Sequence, residues 1–182
     1  LEGSDASRVS TGSTGDKEGS TPAFLIAEDL AGAYAKELGY ADAHEVQAAT
    51  TKNLLGSELV GVTYERLWDY FADEPEYLAN AWRILAADFV TTADGTGIVH
   101  LAPAYGEDDQ KVCEENGIPV MISVNDGGVF VARITEVAGQ QVFEANKPLT
   151  KMLRDMGRLI RVASYEHSYP HCWRCRNPLI YR

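Results

Sequence analysis

The sequence lacks the long apolar runs, the abundant cysteines and the basic surplus that mark several classes of protein. No stretch approaches the about 18 consecutive apolar residues of a membrane-spanning helix. The three cysteines, an odd number, argue against a disulfide framework and favour a reducing compartment. With 16 Lys and Arg against 27 Asp and Glu, the net charge of −11 argues against a general nucleic-acid coat. We therefore expect a cytoplasmic protein that has no membrane partner.

The first 22 residues are rich in Ser, Gly and Thr and show no hydrophobic period. They also lack the charged and apolar regions of a signal peptide. We interpret residues 1–22 as a flexible linker, an insertion or a cloning-derived segment. The rest is long enough for a sizeable core. We divide it into a main domain, 23–165, and a C-terminal segment, 166–182.

Charge is distributed unevenly along the chain. Lys151 to Arg182 carries seven basic and two acidic residues, a net charge of +5, whereas the remainder carries −16. A basic end on an acidic body can contact a phosphate backbone locally. Ordinary solvated charge explains the same pattern equally well.

Short apolar runs alternate with a few helical segments along the chain. Helices are predicted for "EDDQKVCEENG", which has acids first and a glycine last, and for "KPLTKMLRDMG", with Pro148 in the first turn. The "NDGG" at Asn125–Gly128 predicts a hairpin turn. Together they predict an α+β fold with a barrel-like mixed β core and a few peripheral helices. The predicted strands are 23–26, Glu45–Ala49, Glu58–Val62, Trp82–Val90, Gly97–Leu101, Ile118–Val124 and Arg158–Glu166.

The stretch "GTGIVHLAPAYGEDD" puts a histidine and two carboxylates on either side of a sharp chain reversal. His100 closes an apolar strand, while Asp108 and Asp109 open the following helix. The helix dipole stabilises a first-turn acid by about 0.3–1 kcal/mol, which explains one of the two acids. Because adjacent helical residues point about 100° apart, the other acid is predicted to face a cleft beside His100. Such a pair can bind an ammonium group, orient a water or hold a metal, although a lone strand-end histidine is often only a packing residue.

A second motif is "YPHCWRCRNP" near the end of the sequence. Cys172 and Cys175 have the spacing that lets two thiolates face one tetrahedral Zn²⁺. Structural zinc needs four ligands, and the nearby His167 and His171 match no common spacing. The pair is interpreted as half of a zinc site, with two ordinary reduced cysteines in a loop as the alternative. Cys113, inside a helix, is predicted to be a buried small apolar residue.

These two motifs resemble a known family. "GTGIVHLAPAYGEDD" resembles the signature of the editing domain inserted into isoleucyl-tRNA synthetases, which are class I aminoacyl-tRNA synthetases. "HSYPHCWRCRNPLIYR" is similar to the segment where that insertion returns to the synthetase core. The resemblance covers roughly Ala23 to Arg182, with both motifs in the family's order. The related valyl and leucyl enzymes typically have Lys or Met at the position of His100, which favours the isoleucyl enzymes.

The resemblance implies proofreading, the hydrolysis of valine mischarged to tRNA(Ile). One methylene separates isoleucine from valine by only about 1–3 kcal/mol, or roughly 10–200-fold, a limit for which these enzymes are themselves the standard example. A second site that is too small for isoleucine corrects the error. The implied partners are the 3′ end of tRNA(Ile) carrying valine and the rest of a monomeric synthetase. Editing is expected to need no cofactor, whereas the full-length synthetase uses ATP and Mg²⁺.

The resemblance also implies roles for individual residues. The family's ammonium-binding acid falls on Asp109, and its pocket-shaping histidine falls on His100, so these two are the catalytic candidates. The backbone of Gly95, Thr96 and Gly97 lets the substrate come close, and Asp108 complements the helix dipole. The nucleophile is expected to be water. A structural zinc is implied at Cys172 and Cys175, shared with an upstream Cys-x-x-Cys pair that this chain lacks.

The chain departs from the family in one respect. It has no Thr-rich "TTTPWT"-like strand, since Thr50-Thr51 and Thr91-Thr92 lack the following Pro-Trp-Thr. We therefore expect a fragment that lacks one wall of the editing pocket, which leaves its own hydrolytic activity open. Two other functions also remain open. One is a metal-dependent hydrolase with His100, Asp108 and Asp109 as ligands, and the other is a non-catalytic tRNA-docking module.

Overall fold

The computed structural model describes residues 24–93, 95–164, 166 and 168–180. The chain divides into two compact units. The first unit runs up to Glu65 and resumes over Trp82–His100, and the second comprises Arg66–Ala81 and Leu101–Arg182. The predicted linker at 1–22 and the imidazole of His167 lie outside the described residues. Within the described part of the chain, no helix is long and apolar enough to cross a membrane.

The described residues of the first unit contain three short helices: α1 (Glu28–Ala31), α2 (Ala43–Ala49) and α3 (Gly56–Leu59). A 3₁₀ turn follows α1 directly. The start of α2 is fixed by two side-chain hydrogen bonds, one to an N–H in the first helical turn and one to the N–H of the residue before the N-cap. The Asp42 carboxylate accepts from the Glu45 N–H at 3.0 Å, and the Glu45 carboxylate accepts from the Ala41 N–H at 2.8 Å.

Where the structure describes the second unit, it contains three further helices: α4 (Pro75–Asn80), α5 (Glu107–Glu115) and α6 (Val142–Asp155). The predicted helix at "EDDQKVCEENG" is confirmed as α5, with three acids in its first turn. Gly117, with φ of +69°, lies just beyond its end in the left-handed conformation that glycine tolerates best.

The position predicted for Pro148 is wrong, because this residue lies inside α6 and not in a first turn. The helix begins earlier, where the Gln141 side chain accepts from the Phe143 N–H at 2.7 Å. Its buried side is continuous across the proline, since Ala145 is fully buried and Leu149 packs against the same core. This continuous packing offsets the one helical hydrogen bond that proline cannot donate.

The predicted α+β fold with a barrel-like mixed β core is wrong for the described residues, which form no β-strand. Backbone pairing is limited to isolated antiparallel bridges. Glu45–Ala49 is helical as part of α2, and Glu58–Val62 overlaps the end of α3. The bridges are Thr63 with Arg83, Val124 with Phe130, Val129 with Gln141, and His171 with Pro178.

Apolar runs do not form strands by themselves, because a strand is defined by its hydrogen bonds to a second segment and not by its side chains. The apolar runs at 97–101 and 158–166 have the composition of strands but no ladder among the described residues. Their side chains are correspondingly exposed, by 50% for Val99 and 61% for Val162. The pairing of 61–64 with 82–84, for example, has three backbone hydrogen bonds of 2.8–3.0 Å, and it stops after one bridge.

The turn predicted at Asn125–Gly128 is present. The Asn125 side-chain oxygen accepts from the N–H groups of Gly127 and Val129 at 2.9 and 3.1 Å. The Asn125 N–H in turn donates to the Val129 carbonyl at 2.9 Å. An asparagine side chain therefore closes this turn on its own backbone, as expected for such residues.

A small core holds the second unit together. Ile134, Val137 and Ala145 are buried at its centre, and Tyr70, Phe71, Phe130, Val131 and Leu149 pack around them. Arg133 attaches the 66–81 segment to this core, since its guanidinium pairs with Asp73 and Glu74 and lies 4.6 Å above the Phe71 ring. These contacts raise the pKa of Arg133, chiefly through the hydrogen bond to Glu74.

Candidate functional site

The predicted site residues fall in both units, because the boundary between the units lies within the motif. Gly95, Thr96, Gly97 and His100 belong to the first unit, whereas Asp108 and Asp109 belong to the second. His100 and Asp108 are exposed, and Asp109 is half-buried. The predicted cleft that joins His100 to Asp109 stays a prediction.

The Gly-Thr-Gly turn is attached to the start of α1. The Thr96 carbonyl accepts from the Ala27 N–H at 2.8 Å, and the Gly95 carbonyl accepts from the Tyr34 hydroxyl at 2.9 Å. Gly97 has φ of +76°, and a Cβ atom at this position would overlap the Cβ of Ala27. Ala27 is itself buried, so the turn has no room for a side chain there.

Sequence reasoning missed both residues that hold this turn. Neither Tyr34 nor Ala27 belongs to a motif that the sequence singles out. The only available signal was a tyrosine at a position where a leucine or phenylalanine would also satisfy the helical period. A hydroxyl is informative only once its acceptor is known, and Gly95 lies 61 residues away.

Asp109 closes the turn that follows the boundary between the units. Its Oδ2 atom accepts from the Ala102 N–H at 2.9 Å, and the Tyr105 N–H donates to the Ala102 carbonyl at 2.8 Å. Gly106 leaves room for the carboxylate, since a Cβ there would lie 3.0 Å from Oδ2. One carboxylate oxygen therefore fixes the turn, and Oδ1 accepts no hydrogen bond from the described residues.

The two adjacent acids differ as their helical positions require. Asp108 is exposed in the first turn of α5, where a negative charge complements the helix dipole. Asp109 is directed back toward the Ala102 backbone and is half-buried. The structure thus distinguishes an acid that faces solvent from an acid that is fixed by its own turn.

Cys113 is buried in α5, with 2% of its surface exposed, as predicted for a small apolar residue. Burial raises the pKa of its thiol, and the nearby negative charge of Asp109 raises that pKa further. The thiol is therefore protonated near neutral pH and is a poor nucleophile.

Cys172 and Cys175 lie on one tight turn. The Cys172 N–H donates to the Asn177 carbonyl at 2.8 Å, and the Cys172 carbonyl accepts from the Arg176 N–H at 2.9 Å. The pKa of the Cys172 thiol is lowered, chiefly by the Cys175 backbone N–H and then by that of Arg174 and the Cys175 thiol. A stabilised thiolate beside a second thiol fits half of a tetrahedral zinc site.

Further metal ligands are not grouped in the described residues. No cluster of three or more His, Cys, Asp or Glu side chains is placed to hold a metal ion there. The His171 ring nitrogen Nδ1 instead lies 2.8 Å from the Tyr169 carbonyl. The metal-dependent hydrolase considered above therefore gains no support from these residues.

Comparison with known proteins identifies the relatives of the chain. No family model matches it. It is 64% identical over 160 residues to the isoleucine–tRNA ligase of Leifsonia xyli, an alignment that covers 87% of the chain. It is 53% identical over 157 residues to that of Corynebacterium diphtheriae, covering 86% of the chain. The chain is homologous to isoleucine–tRNA ligases.

The resemblance to isoleucyl-tRNA synthetases drawn from the two motifs is thus confirmed. A third relative, the isoleucine–tRNA ligase of Mycobacterium tuberculosis, is 47% identical over 167 residues and is matched by 87% of the chain. The chain spans only 14–15% of the length of these relatives. It therefore corresponds to one segment of a much longer enzyme.

The Gly-Thr-Gly turn gives a stability prediction. Gly97→Ala should cost about 1–2 kcal/mol for the left-handed conformation and about 1–3 kcal/mol more for the overlap with Ala27. Gly139→Ala is the matched control, since Gly139 has φ of +77° and a Cβ there would meet no atom of the described residues within 4 Å. Urea unfolding followed by circular dichroism should show a larger decrease in the free energy of unfolding for Gly97→Ala than for Gly139→Ala. Equal decreases would mean that the contact with Ala27 does not constrain the turn.

Proposed function

We propose that this chain is the proofreading segment of an isoleucyl-tRNA synthetase, which hydrolyses valine mischarged to tRNA(Ile). The observation that carries the proposal is the half-buried Asp109 carboxylate. One of its oxygens is fixed by the Ala102 N–H, in a chain homologous to isoleucine–tRNA ligases. A carboxylate held in this way presents its charge in one direction, as recognition of a small cation requires.

The substrate carries three features that the site has to recognise. These are a free α-ammonium group, a small aliphatic side chain and an ester to the terminal adenosine. Asp109 is proposed to bind the ammonium through Oδ1, because Oδ2 is engaged by the turn. A charge-assisted contact of this kind is stronger than one between neutral groups.

His100 is proposed to limit the size of the side-chain pocket. Its imidazole is exposed within its own unit, so a ligand can reach it. A bulky ring that contacts the valine side chain leaves no space for the extra methylene of isoleucine. The discrimination is then steric, and it complements the selection made during aminoacylation.

The Gly-Thr-Gly turn is proposed to form the backbone wall of the site. Gly95 and Gly97 both have positive φ values and carry no side chain, so a ligand can approach the main chain closely. The hydrogen bonds from Ala27 and Tyr34 keep this wall in place. A fixed wall reduces the ordering that substrate binding would otherwise require.

The reaction is proposed to be direct hydrolysis by water. The water oxygen attacks the ester carbonyl carbon, and the bond from that carbon to the ribose oxygen breaks. The proton from water passes to the ribose oxygen, which yields valine and tRNA with a free hydroxyl. No covalent intermediate and no cofactor are needed, while ATP and Mg²⁺ serve aminoacylation elsewhere in the monomeric, cytoplasmic synthetase.

The first test removes the charge of Asp109 and keeps its shape. In the full-length synthetase, Asp109→Asn retains an oxygen for the Ala102 N–H but cannot pair with the ammonium. Losing this contact should cost on the order of 2–5 kcal/mol, which lowers Val-tRNA(Ile) deacylation more than tenfold. Asp108→Asn is the control and should cost less than about 1 kcal/mol.

The same assay separates the rival functions. A valyl ester with an acylated amine should be a poor substrate for the wild type, and Asp109→Asn should add little further loss. Greater damage from Asp108→Asn, or normal cleavage of the blocked ester, would contradict the ammonium-binding role. Unchanged tRNA binding, with no deacylation in the wild type, would indicate a non-catalytic docking module.

The second test concerns exclusion by His100. His100→Ala in the full-length synthetase should enlarge the pocket, so that isoleucyl-tRNA(Ile) is deacylated as well as valyl-tRNA(Ile). Rates for both esters are measured side by side. Loss of valyl hydrolysis with isoleucyl-tRNA untouched would instead indicate that His100 takes part in the chemistry.

We further propose that Cys172 and Cys175 supply two ligands of a structural zinc that residues outside this chain complete. The isolated chain should then hold zinc weakly, whereas Cys175→Ser in the full-length synthetase should lose about one equivalent. Cys113→Ala is the control and should retain the metal, because Cys113 is buried in α5. Tight stoichiometric zinc in the isolated chain, measured by elemental analysis, would refute a half-site.

A further inference from the structure

The turn that carries Asp109 is attached to a second segment through a tyrosine hydroxyl. The Tyr105 hydroxyl oxygen lies 2.7 Å from the Ser123 Oγ atom. The Ser123 backbone N–H donates to the same hydroxyl oxygen at 3.0 Å. Both residues are partly buried, so the access of water to these bonds is reduced. Two bonds from one serine therefore fix the position of a single hydroxyl.

A short chain of hydrogen bonds joins this hydroxyl to the carboxylate. The Tyr105 backbone N–H donates to the Ala102 carbonyl at 2.8 Å. The Ala102 N–H, in turn, donates to Asp109 Oδ2 at 2.9 Å. Ala104, between them, is buried with 9% of its surface exposed, which restricts the turn from the inside. The orientation of the Ala102 backbone, and with it that of Asp109, therefore depends on where Tyr105 is held.

The hydroxyl is not needed for packing. A phenylalanine would bury the same ring and would avoid placing a polar atom in a partly buried position. Such an atom is costly unless it is paired, and here Ser123 provides both of its partners. What the hydroxyl adds is a fixed point for the turn, at a distance of three residues from Ala102.

We propose that Tyr105 is a positioning residue for ester hydrolysis. Its hydroxyl, held by Ser123, fixes the 102–109 turn so that Asp109 is directed at the substrate ammonium. This inference rests on the proposed function of Asp109, and Tyr105 acts through Ala102 and not on the substrate. A displacement of about 1 Å at a reacting group can cost on the order of a hundredfold in rate, so small shifts of this turn matter.

The kinetic test is a double-mutant cycle in the full-length synthetase. Tyr105→Phe should lower kcat/KM for Val-tRNA(Ile) deacylation by about 5–10-fold, the loss expected for one hydrogen bond. In an Asp109→Asn background the same change should cost less than about twofold, because the group being positioned has already lost its charge. Ser123→Ala should give a smaller loss than Tyr105→Phe, since its backbone N–H still donates to the hydroxyl.

The structural test is hydrogen exchange of the Ala102 amide in the same enzyme. Tyr105→Phe should speed this exchange about tenfold or more, because the turn opens more often. Tyr169→Phe is the matched control, since it removes a hydroxyl that donates to the Leu179 carbonyl at 2.8 Å, and it should leave Ala102 unchanged. Unchanged exchange in Tyr105→Phe would overturn the positioning role whatever the kinetics show.

The remaining outcomes distinguish the two proposals. An equal loss from Tyr105→Phe in both backgrounds would overturn the positioning role and leave the proposed function intact. Normal deacylation by Asp109→Asn would overturn the proposed function, and the positioning role with it. Both proposals are supported if Tyr105→Phe speeds exchange at Ala102 and lowers deacylation only in the enzyme that retains Asp109.

Discussion

The hydrogen bond from the Ala102 N–H to the Asp109 carboxylate is the interaction on which the candidate site depends. It joins the start of the turn to the first turn of α5, over a separation of seven residues. A carboxylate at this position is favoured by the helix dipole even without a ligand. The local fold therefore already stabilises the charge that we propose to bind the substrate ammonium, so less ordering of this carboxylate is needed when a ligand binds.

Because Asp109 holds the turn and is also proposed to bind the substrate, truncation alone cannot define its role. Asp109→Ala would remove the hydrogen bond to Ala102 together with the proposed ligand contact, whereas asparagine preserves the hydrogen bond. The charge of Asp109 also acts on the buried Cys113. Burial raises the pKa of the Cys113 thiol, and the negative charge of Asp109 raises it further. The structural hydrogen bond and the proposed recognition thus share one carboxylate.

In the first unit, the Gly-Thr-Gly turn is held in place without a charged side chain. This turn depends on glycines with positive φ and on the lack of space beside Ala27. Tyr34 reaches this turn across 61 residues of sequence, as Tyr105 reaches Ser123 across 18 in its own unit. Each turn of the motif is thus fixed by a tyrosine hydroxyl, although the sequence places the two tyrosines in quite different local patterns.

The sequence by itself determined the features that depend on near neighbours. The start of α5, the Asn125 turn, the burial of Cys113 and the relationship to isoleucine–tRNA ligases all follow from short motifs and from contacts within a few residues. Tertiary structure alone decided the rest. The described residues form bridges where strands were expected, and Pro148 lies within a helix, because pairing partners and a shared buried face come from distant segments that local composition does not specify.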